Sequence, residues 1–435
     1  MPWIPNALIA LSAAGFALVI ALFVSVEMHG ALSSLGGWYL ALGRFSGLTG
    51  TYLMMIQLIL IARLPWLERT VGQDRLVRWH RTVAPYPLVL IAIHVVTITI
   101  GYAKLMSVGI VHEVWTFITH YPDILASMVA FVLLMTAGLT SAQIVRRRLK
   151  YETWWVVHLY IYVALGLAFA HQIVTGVMFV GHPINRYAWI GMWVITTSLI
   201  VGSRFIAPIV RNSRWKLRVA SVVQEGTNTY SLTVTGANID KLAVSGGQFF
   251  QWRFLTRGLW WHSHPYSLSA LPRPPFMRVT IKGLGDQSHA VAKLKPGTRV
   301  FVEGPYGTFT RHARSTNHVT LIAAGVGITP LRALLEDLPK VVDVTVIVRA
   351  STPDDMIHRD EMAALVALRG GSFHELIGPR ERVRLDVGSL RKLSPKMSSG
   401  DVYICGPQAF AENMVELATR VGVPRNRVHF EAFTF

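Results

Sequence analysis

With 435 residues, 52% of them hydrophobic and only 15% charged, the chain is too long for one ordinary domain and too poorly charged for a purely soluble protein. The formal net charge of +18 would suit a nucleic-acid-binding protein, but many of the basic residues lie in short segments beside long apolar runs. We therefore expect a lipid bilayer and no nucleic acid as a partner. The single cysteine, Cys405, excludes an internal disulfide, and no basic residues precede the first apolar run as they would in a cleavable signal peptide.

Six apolar segments in the first half of the chain are long enough to cross a bilayer of ~30 Å. We place them near residues 7–27, 36–62, 83–103, 122–144, 153–176 and 185–210. Basic residues cluster at one end of these segments, whereas the opposite loops carry only Lys104 and Arg186. The clustered residues are Arg63, Arg69, Arg75, Arg78, Arg81, Arg146, Arg147, Arg148, Lys150, Arg211, Arg214, Lys216 and Arg218. This asymmetry predicts a multi-pass protein of the cell membrane with its N-terminus and its C-terminal half in the cytoplasm.

The second half of the chain has the pattern of an ordinary α/β protein. Short alternating strands with Gly and Pro turns predict a small antiparallel barrel, and they lie at 215–235, 248–254, 277–283 and 299–303. From residue 318 strands alternate with helices, which predicts a parallel sheet of the dinucleotide-binding type. The chain is thus predicted to hold three domains: a transmembrane domain at 1–212, a β-barrel at 213–313 and an α/β domain at 314–435.

Four histidines lie within or at the ends of the third and fifth apolar segments. His80 and His94 are 14 residues apart, and His158 and His171 are 13 apart. Either spacing separates two residues by ~20 Å along a helix, so the histidines form matched pairs at matched depths. Two helices of this kind can hold two haems, one between His80 and His158 near the cytoplasmic face and one between His94 and His171 near the other. The alternative is hydrogen bonding at helix interfaces, but ionisable side chains in membranes are rare and usually functional.

The two spacings do not fit straight helices equally well. A step of 14 residues returns to within ~40° of the same helix face, whereas a step of 13 misses it by ~140°. We therefore expect the fifth helix to tilt, bend or contain an irregular turn.

A family resemblance emerges from the motifs that follow the histidines. They are HPYSLSA at 264–270, IKGLGDQS at 281–288, EGPYG at 303–307, AAGVGITP at 323–330, ICGP at 404–407 and an aromatic C-terminus. In this order and spacing they resemble the NADPH oxidase and ferric reductase superfamily, prokaryotic type, from about residue 36 to the end. The resemblance implies a multi-domain fold: a six-helix transmembrane haem-binding bundle, an antiparallel β-barrel FAD domain and an α/β parallel-sheet NAD(P)-binding domain.

The resemblance also assigns a flavin site. Tyr266 is expected to pack along the flavin and Ser267 to hydrogen-bond to it, while Lys282 and Ser288 match positions that contact the FAD pyrophosphate. A lysine and a hydroxyl suit that role, because both donate to phosphate oxygens. The residues assigned to FAD are His264, Pro265, Tyr266, Ser267, Ile281, Lys282 and Ser288.

The nicotinamide site is expected where the glycine-rich turn opens a helix. Gly325 and Gly327 let the backbone approach a pyrophosphate at the positive end of that helix. Arg349 ends the next strand and, with Ser351, suits a 2′-phosphate, which favours NADPH, although Asp354 and Asp355 close by keep NADH as the alternative. By resemblance, five further positions border the nicotinamide or its ribose: Thr329, Pro330, Cys405, Gly406 and Pro407. The aromatic that stacks on the flavin ring is Phe435 by the same resemblance.

The resemblance implies an enzyme, an NAD(P)H-dependent flavocytochrome b. Electrons would pass from cytoplasmic NADPH through FAD and two bis-histidine b-type haems to an acceptor outside the cytoplasm, with no acid or base residue. Oxygen is the first acceptor that the resemblance implies. The alternatives are a ferric chelate and a partner protein docked on the loop 104–121, although no motif indicates such a partner.

Arg44 matches an arginine that oxidases use near the outer haem. Without the resemblance, an arginine at this position has three interpretations: it pairs with a haem propionate, it attracts an anion, or it snorkels to the interface. Ile98 stands where oxidases carry an extra histidine one turn past His94, which counts against oxygen.

Overall fold

The computed structural model describes residues 3–27, 34–260, 262–379 and 382–433. The chain divides into two compact units, Met1–Phe205 and Ile206–Phe435. The first unit is helical. Its helices are α1 Trp3–Glu27, α2 Leu35–Leu60, α3 Pro65–Val71, α4 Gln73–Val83, α5 Pro85–Leu105, α6 Ile110–His120, α7 Pro122–Ser141, α8 Gln143–Arg146, α9 Tyr151–Thr175 and α10 Pro183–Val201.

Five described helical stretches are long and apolar enough to cross a membrane, not the six that the sequence predicted. They are Ala7–Glu27, Arg75–Leu105, Asp123–Ser141, Thr153–Thr175 and Pro183–Trp215. The remaining predicted segment, 36–62, corresponds to α2, which has 26 residues but carries Arg44 and many glycine and threonine residues. Buried residues occur along its whole length, among them Ser46, Thr51 and Gln57. A helix enclosed by other helices does not need an apolar surface all round, which explains its lower hydropathy.

Close packing of α2 against α5 depends on glycines. A Cβ added at Gly43 would lie 2.7 Å from Ile98, and one added at Gly50 would lie 3.0 Å from Ile91. At Gly47 the added atom would lie 2.6 Å from Nδ1 of His94. Small residues spaced in this way let two membrane helices approach closely. The glycine face of α2 therefore fixes the position of His94.

The third predicted segment differs from the structure at its start. His80 lies on α4 and His94 on α5, and the helices meet at Ala84. Ala84 keeps right-handed helical angles, φ −52° and ψ −35°, while Pro85 occupies the first turn of α5. Proline is tolerated there because the first turn has no hydrogen-bond partner for its N–H group. The two histidines thus belong to consecutive helices and not to one.

The second unit begins with α11, Ala207–Trp215, and continues into an antiparallel β structure. Its elements are β1 Arg218–Gly226, β2 Thr229–Thr235, β3 Phe249–Phe254, β4 His264–Ser267, β5 Phe276–Lys282, α12 Asp286–Val291 and β6 Val300–Tyr306. The strands form two three-stranded sheets, β1-β2-β5 and β4-β3-β6. Alternate residues of β3 point inward, so Phe250, Trp252 and Phe254 are all buried in the shared core.

The boundary between the units falls before the predicted one at 212/213. Asn212 on α11 makes two hydrogen bonds to the backbone of Val302 on β6. Its amide nitrogen donates to the Val302 carbonyl at 2.7 Å, and its amide oxygen accepts from the Val302 N–H at 2.8 Å. These bonds attach α11 to the β structure, so the helix belongs with the second unit.

A five-stranded parallel sheet completes the second unit. Its elements are β7 His318–Ala324, α13 Ile328–Asp337, β8 Asp343–Ala350, α14 Arg359–Ala367, β9 Ser372–Ile377, α15 Val387–Leu393, β10 Asp401–Pro407, α16 Gln408–Val421 and β11 Val428–Phe433. The strand order is β11-β10-β7-β8-β9. Because the chain order reverses between β7 and β10, the carboxyl ends of these two strands mark the topological switch point where such sheets bind ligands.

A buried carboxylate holds the start of this sheet. The Asp401 side chain is fully buried and accepts hydrogen bonds from the N–H groups of Ser315 and Thr316 at 2.9 and 2.7 Å. It also accepts from the Thr316 hydroxyl at 2.7 Å and contacts Nε2 of His429 at 3.0 Å. Burial alone would raise the pKa of this carboxyl, but the hydrogen bonds outweigh it and the pKa lies below its ordinary value.

We predict that Asp401→Ala lowers the free energy of unfolding by about 3 kcal/mol, because it leaves several buried donors without an acceptor. In the wild-type chain the contribution of Asp401 is present above its unfolded-state pKa of about 4 and is lost as the pH falls through the lower folded-state value. Melting followed by circular dichroism between pH 7 and pH 2 measures both effects. The control is Asp386→Ala, which removes an exposed helix cap and should cost much less, because water replaces the lost hydrogen bonds. Equal losses for the two variants would contradict the prediction.

Candidate functional site

His80 and His158 face each other in the first unit. Their ring centres are 6.4 Å apart and their planes are almost perpendicular, at 81°. Two metal–nitrogen bonds of about 2 Å, with each ring centre roughly 1 Å behind its nitrogen, predict a separation of about 6 Å for two imidazoles on one metal ion. The spacing therefore suits one metal between the two rings.

His94 and His171 line a single cavity. Arg44, Gly47 and Met54 of α2 also line it, as do residues of α5, α7 and α9. The structure thus brings together the two pairs that the sequence analysis matched: His80 with His158, and His94 with His171.

All four imidazoles have a polar partner at Nδ1. Nδ1 of His94 donates to the Gly43 carbonyl at 2.7 Å, and Nδ1 of His158 lies 3.2 Å from the Ser141 hydroxyl. Nδ1 of His171 lies 2.8 Å from the Thr175 hydroxyl, and the Gln57 amide nitrogen donates to Nδ1 of His80. Within the described ranges no residue hydrogen-bonds to Nε2 of any of the four. In His94, His158 and His171 an oxygen stands ready to accept from Nδ1–H, which leaves Nε2 for a metal, as in a metal-binding histidine. His80 needs its Gln57 amide turned, with the oxygen toward Nδ1, to adopt the same tautomer.

The irregular turn expected in the fifth membrane segment is absent from its described backbone. α9 is a regular α-helix from Tyr151 to Thr175, so His158 and His171 project ~140° apart around it. On the opposite side His80 and His94 lie on consecutive helices, α4 and α5. Ala84 between them keeps helical angles and its N–H donates to the His80 carbonyl at 3.0 Å, so the mismatch in spacing between the two pairs remains.

The donor set fits haem better than a bare metal ion. Among the residues that the structure describes, no cluster of three or more His, Cys, Asp or Glu side chains is arranged to hold a metal. Two imidazoles complete the coordination of an iron ion only when another ligand supplies the remaining donors, as a porphyrin does. The four histidines therefore suit two bis-imidazole haems.

Arg44 is paired inside the unit and does not snorkel to a lipid interface. One of its Nη atoms lies 2.5 Å from a carboxylate oxygen of Glu27, and the side chains are only 16% and 4% exposed. Arg44 also lines the cavity that holds His94 and His171. Sequence reasoning missed Glu27, although a carboxylate at the end of an apolar segment was a visible signal.

Other missed residues are the partners of the histidines. Gln57, Asp123, Ser141 and Thr175 are polar positions within or at the ends of apolar segments, and each contacts an imidazole Nδ1. Thr175 lies one helical turn after His171, so its position carried a local signal. The other three come from different helices, and their spacing from the histidines in the sequence carries none.

The motif predicted to bind flavin forms β4 in the second unit. The rings of His264 and Tyr266 are stacked with their centres 5.9 Å apart, and the Trp252 indole donates to the Tyr266 carbonyl at 3.0 Å. Burial raises the pKa of Tyr266 to about 12, so its hydroxyl stays protonated and able to donate. Ser267 is buried at the end of the strand, and Pro265 is exposed.

Three other residues assigned to FAD are less accessible to a ligand than the sequence analysis expected, because the protein already buries or binds their side chains. The Ile281 side chain is 1% exposed in the barrel core, so only its backbone can face a ligand. The Ser288 hydroxyl accepts from the N–H groups of Leu284 and Gly285 and donates to the Gly285 carbonyl, which closes a local turn. The Lys282 ammonium lies 3.6 Å from a carboxylate oxygen of Asp355. A phosphate at this position would have to compete with that carboxylate for the lysine.

An ion pair connects the flavin-side strand β5 to the parallel sheet. Both terminal nitrogens of Arg278 contact the Glu361 carboxylate of α14 at 2.7 Å. Chiefly because of Arg278, the pKa of Glu361 lies far below its ordinary value. This two-bond geometry fixes direction as well as distance, so it holds β5 and α14 in a defined orientation.

The glycine-rich turn lies at the switch point of the parallel sheet. Gly325 has φ +55°, a conformation that favours glycine. The backbone of Cys405 and Gly406 on β10 lies so close to Gly327 that any Cβ there would overlap it. Cys405 is fully buried, and burial raises the pKa of its thiol. The turn and ICGP thus meet where β7 and β10 end, and Pro407 follows directly.

Thr329 and Pro330 lie in the first turn of α13. Both are buried, and the Thr329 hydroxyl donates to the Val326 carbonyl at 2.9 Å. These contacts hold the turn against the helix and leave its exposed backbone to face a ligand.

Arg349 carries an unsatisfied donor. It pairs in register with Ala324 at the ends of β8 and β7, and one of its terminal nitrogens is buried without a hydrogen-bond partner among the described residues. Of the acidic residues nearby, Asp355 accepts from Thr352 and contacts Lys282. An unsatisfied guanidinium donor at this edge suits an anionic group such as a 2′-phosphate.

The aromatic C-terminus can be followed only in part. Phe433 ends β11, where it pairs with Pro407 and packs against the sheet core. Phe435, which the sequence analysis placed on the flavin ring, lies outside the described residues.

Comparison with protein families gives two matches. Residues 46–169 match the ferric reductase like transmembrane component, and residues 321–416 match the oxidoreductase NAD-binding domain. The first range contains His80, His94 and His158 and ends two residues before His171, and the second contains the glycine-rich turn and ICGP.

Curated relatives match part of the chain. An NADPH oxidoreductase of Mycobacterium tuberculosis is 29% identical over 198 residues, which are 43% of this chain and 51% of that protein. The match therefore spans about half the length of that relative. Ferredoxin–NADP reductase B of Sorangium cellulosum is 32% identical over 191 residues, 39% of this chain and 77% of that protein. Among solved structures, the FAD/NAD-binding domain of nitric oxide dioxygenase from Vibrio cholerae is 22% identical, with a TM-score of 0.41. The match covers 51% of this chain and 99% of that domain's chain.

The first unit is a helical membrane domain, and the second is an FAD- and NAD(P)-binding unit of the ferredoxin reductase type. The chain belongs to the NADPH oxidase and ferric reductase superfamily, with its ferric reductase-like component in the membrane and its NAD-binding domain at the C-terminal end.

We predict that Gly47→Val displaces His94 and lowers the amount of haem bound per chain, because the added side chain would overlap the imidazole. The ratio of haem absorbance to protein absorbance in the purified chain measures this. Gly166→Val on α9 is the matched control, since nothing lies within 4 Å of a Cβ at that position. Equal haem content in the two variants would show that Gly47 does not fix a haem ligand.

Proposed function

We propose that this chain is an enzyme that carries electrons from cytoplasmic NADPH through FAD and two bis-histidine b-type haems to oxygen on the other side of the cell membrane. One observation carries the proposal: two histidine pairs lie in the membrane unit with every Nε2 free of a protein partner among the described residues. When bound, the flavin and the haems supply the redox chemistry, which no side chain can supply.

The protein's own residues bind and orient these groups. Nδ1 contacts hold His80 and His158 for one haem, and His94 and His171 for the other. In the second unit β4 presents the Tyr266 hydroxyl for flavin, and the turn of Gly325 and Gly327 presents backbone N–H groups for a pyrophosphate.

The orientation follows from charge. Basic residues flank α4 and α8 near His80 and His158, whereas the opposite loops have few. The positive-inside rule therefore assigns the His80–His158 pair to the cytoplasmic side, with the second unit, and the His94–His171 pair to the outer side.

Oxygen is the acceptor that the outer cavity favours. Glu27 neutralises Arg44 there, so the cavity offers little attraction to an anionic ferric chelate. Reduction of a ferric chelate is the second candidate, because Ile98 packs against Gly43 where a histidine would favour an oxidase. On α6, exposed Val111 and Trp115 suit a lipid interface and so add no support for a docked partner protein.

The test uses lipid vesicles that contain the purified chain, with NADPH outside and cytochrome c trapped inside. We expect the trapped cytochrome c to be reduced in air and the reduction to stop when superoxide dismutase is trapped with it. In His158→Ala the rate should fall to background, because the cytoplasmic-side pair is lost. His112→Ala, an exposed histidine on α6, should keep the wild-type rate.

Two results distinguish the alternatives. Reduction of a trapped ferric chelate under nitrogen, without dismutase-sensitive reduction in air, would select the metalloreductase. An unchanged rate in His158→Ala would contradict the proposed electron route.

Arg349→Ala tests the choice of nicotinamide. We predict a 10- to 100-fold lower kcat/KM for NADPH, the order expected for the loss of one charge-assisted hydrogen bond, with NADH almost unaffected. Steady-state reduction of a soluble dye by the purified chain measures both. Arg359→Ala, which removes an exposed arginine paired with Glu375, is the control. A parallel loss with both nicotinamides would show that Arg349 does not contact a 2′-phosphate.

A further inference from the structure

The four haem-ligand candidates differ in what holds their second nitrogen. For His94, His158 and His80 the partner at Nδ1 is neutral: the Gly43 carbonyl, the Ser141 hydroxyl and the Gln57 amide. Only His171 connects to a carboxylate among the described residues.

The connection runs through a threonine. The Thr175 hydroxyl lies 2.8 Å from Nδ1 of His171 and 2.8 Å from Oδ2 of Asp123, to which it donates. The hydroxyl has one proton, and the shorter contact is to the carboxylate, since the His171 carbonyl lies 3.1 Å away. With either acceptor the threonine oxygen is left to accept from Nδ1–H of His171. Asp123 also approaches Nδ1 directly, at 3.4 Å.

Both partners are held in place by their helices. Asp123 lies in the first turn of α7, where the N–H groups and the helix dipole favour a negative charge. Thr175 is the last residue of α9, one turn beyond His171. The side chains of His171 and Asp123 are only 22% and 16% exposed, so water screens the carboxylate poorly.

We propose that Asp123, acting through Thr175, is a positioning residue that fixes the Nδ1–H tautomer of His171 and lowers the reduction potential of the haem held by His94 and His171. The inference rests on the proposed haem ligation. A carboxylate behind a metal-bound imidazole makes that ligand more basic, and a nearby negative charge favours the oxidised, more positive metal. Both effects lower the potential.

The carboxylate lies beside only one of the two histidine pairs, so its effect on the two haem potentials is unequal. Among the residues that the structure describes, no carboxylate contacts His80 or His158, so the effect of Asp123 falls on the His94–His171 centre and makes it more strongly reducing than it would be without Asp123. A more reducing outer centre gives up its electron more readily to a weak one-electron oxidant such as oxygen.

The test is an anaerobic redox titration of the haem absorbance of the full-length purified chain. In Asp123→Asn and in Thr175→Val we expect two haems per chain, with the lower-potential component raised by about 59 mV or more and the other unchanged. For one electron that shift is a tenfold change in the ratio of oxidised to reduced haem. Thr175→Ser should restore the wild-type potential, because it keeps the hydroxyl.

The control is Ser127→Ala. Ser127 lies on α7 and lines the same cavity, but its hydroxyl donates to the Ile124 carbonyl and not to a histidine. It should leave both potentials unchanged.

Two haems with unaltered potentials in Thr175→Val would overturn the inference, as would equal shifts of both components. If Asp123→Asn fails to bind haem, Thr175→Val and Thr175→Ser decide the question through their potentials. A wild-type chain without haem would refute the proposed function itself, which is a different result from unaltered potentials in a haem-loaded variant.

Discussion

Inside an apolar helical unit, an imidazole nitrogen without a hydrogen-bond partner costs free energy unless a ligand binds it. In the first unit each of the four Nδ1 atoms has a polar contact, whereas no described residue hydrogen-bonds to the four Nε2 atoms. The other features of the unit serve this arrangement. Gly47 gives His94 room against α2, and His80 and His94 lie on either side of Ala84, in α4 and α5. A haem held by each histidine pair would supply the Nε2 atoms with a ligand.

The second unit meets a different constraint, since a dinucleotide must approach the backbone closely. The strand order reverses between β7 and β10, and the residues at that point have almost no side chain in the way. Gly327 touches the backbone of Cys405, and Gly325 has the positive φ that turns the chain into α13. The bidentate contact of Arg278 with Glu361 then fixes the flavin-side strand relative to this sheet. Position and charge are what the protein contributes, and the cofactors are left to carry electrons.

The features that could be predicted from the sequence are those encoded by the spacing of residues within one segment of the chain. The membrane segments, the strand and helix alternation of the second half and the depth matching of the four histidines all follow from local spacing. Features that depend on contacts between segments were not predictable in this way. They include the partners Gln57, Ser141 and Asp123, the Glu27–Arg44 pair and the use of the Ser288 hydroxyl within its own turn. Of the six predicted membrane spans, the one at α2 is not confirmed, because a helix enclosed by its neighbours can be rich in glycine and threonine and so have a lower hydropathy.

The haem content of the wild-type chain tests the central claim most directly. The chain should be produced with ample haem, purified in detergent, and its haem measured as the pyridine complex against protein determined by amino-acid analysis. The account predicts two b-type haems per chain, both six-coordinate and low-spin in the oxidised and reduced spectra. One haem per chain, none, or a spectrum with an open iron position would contradict it.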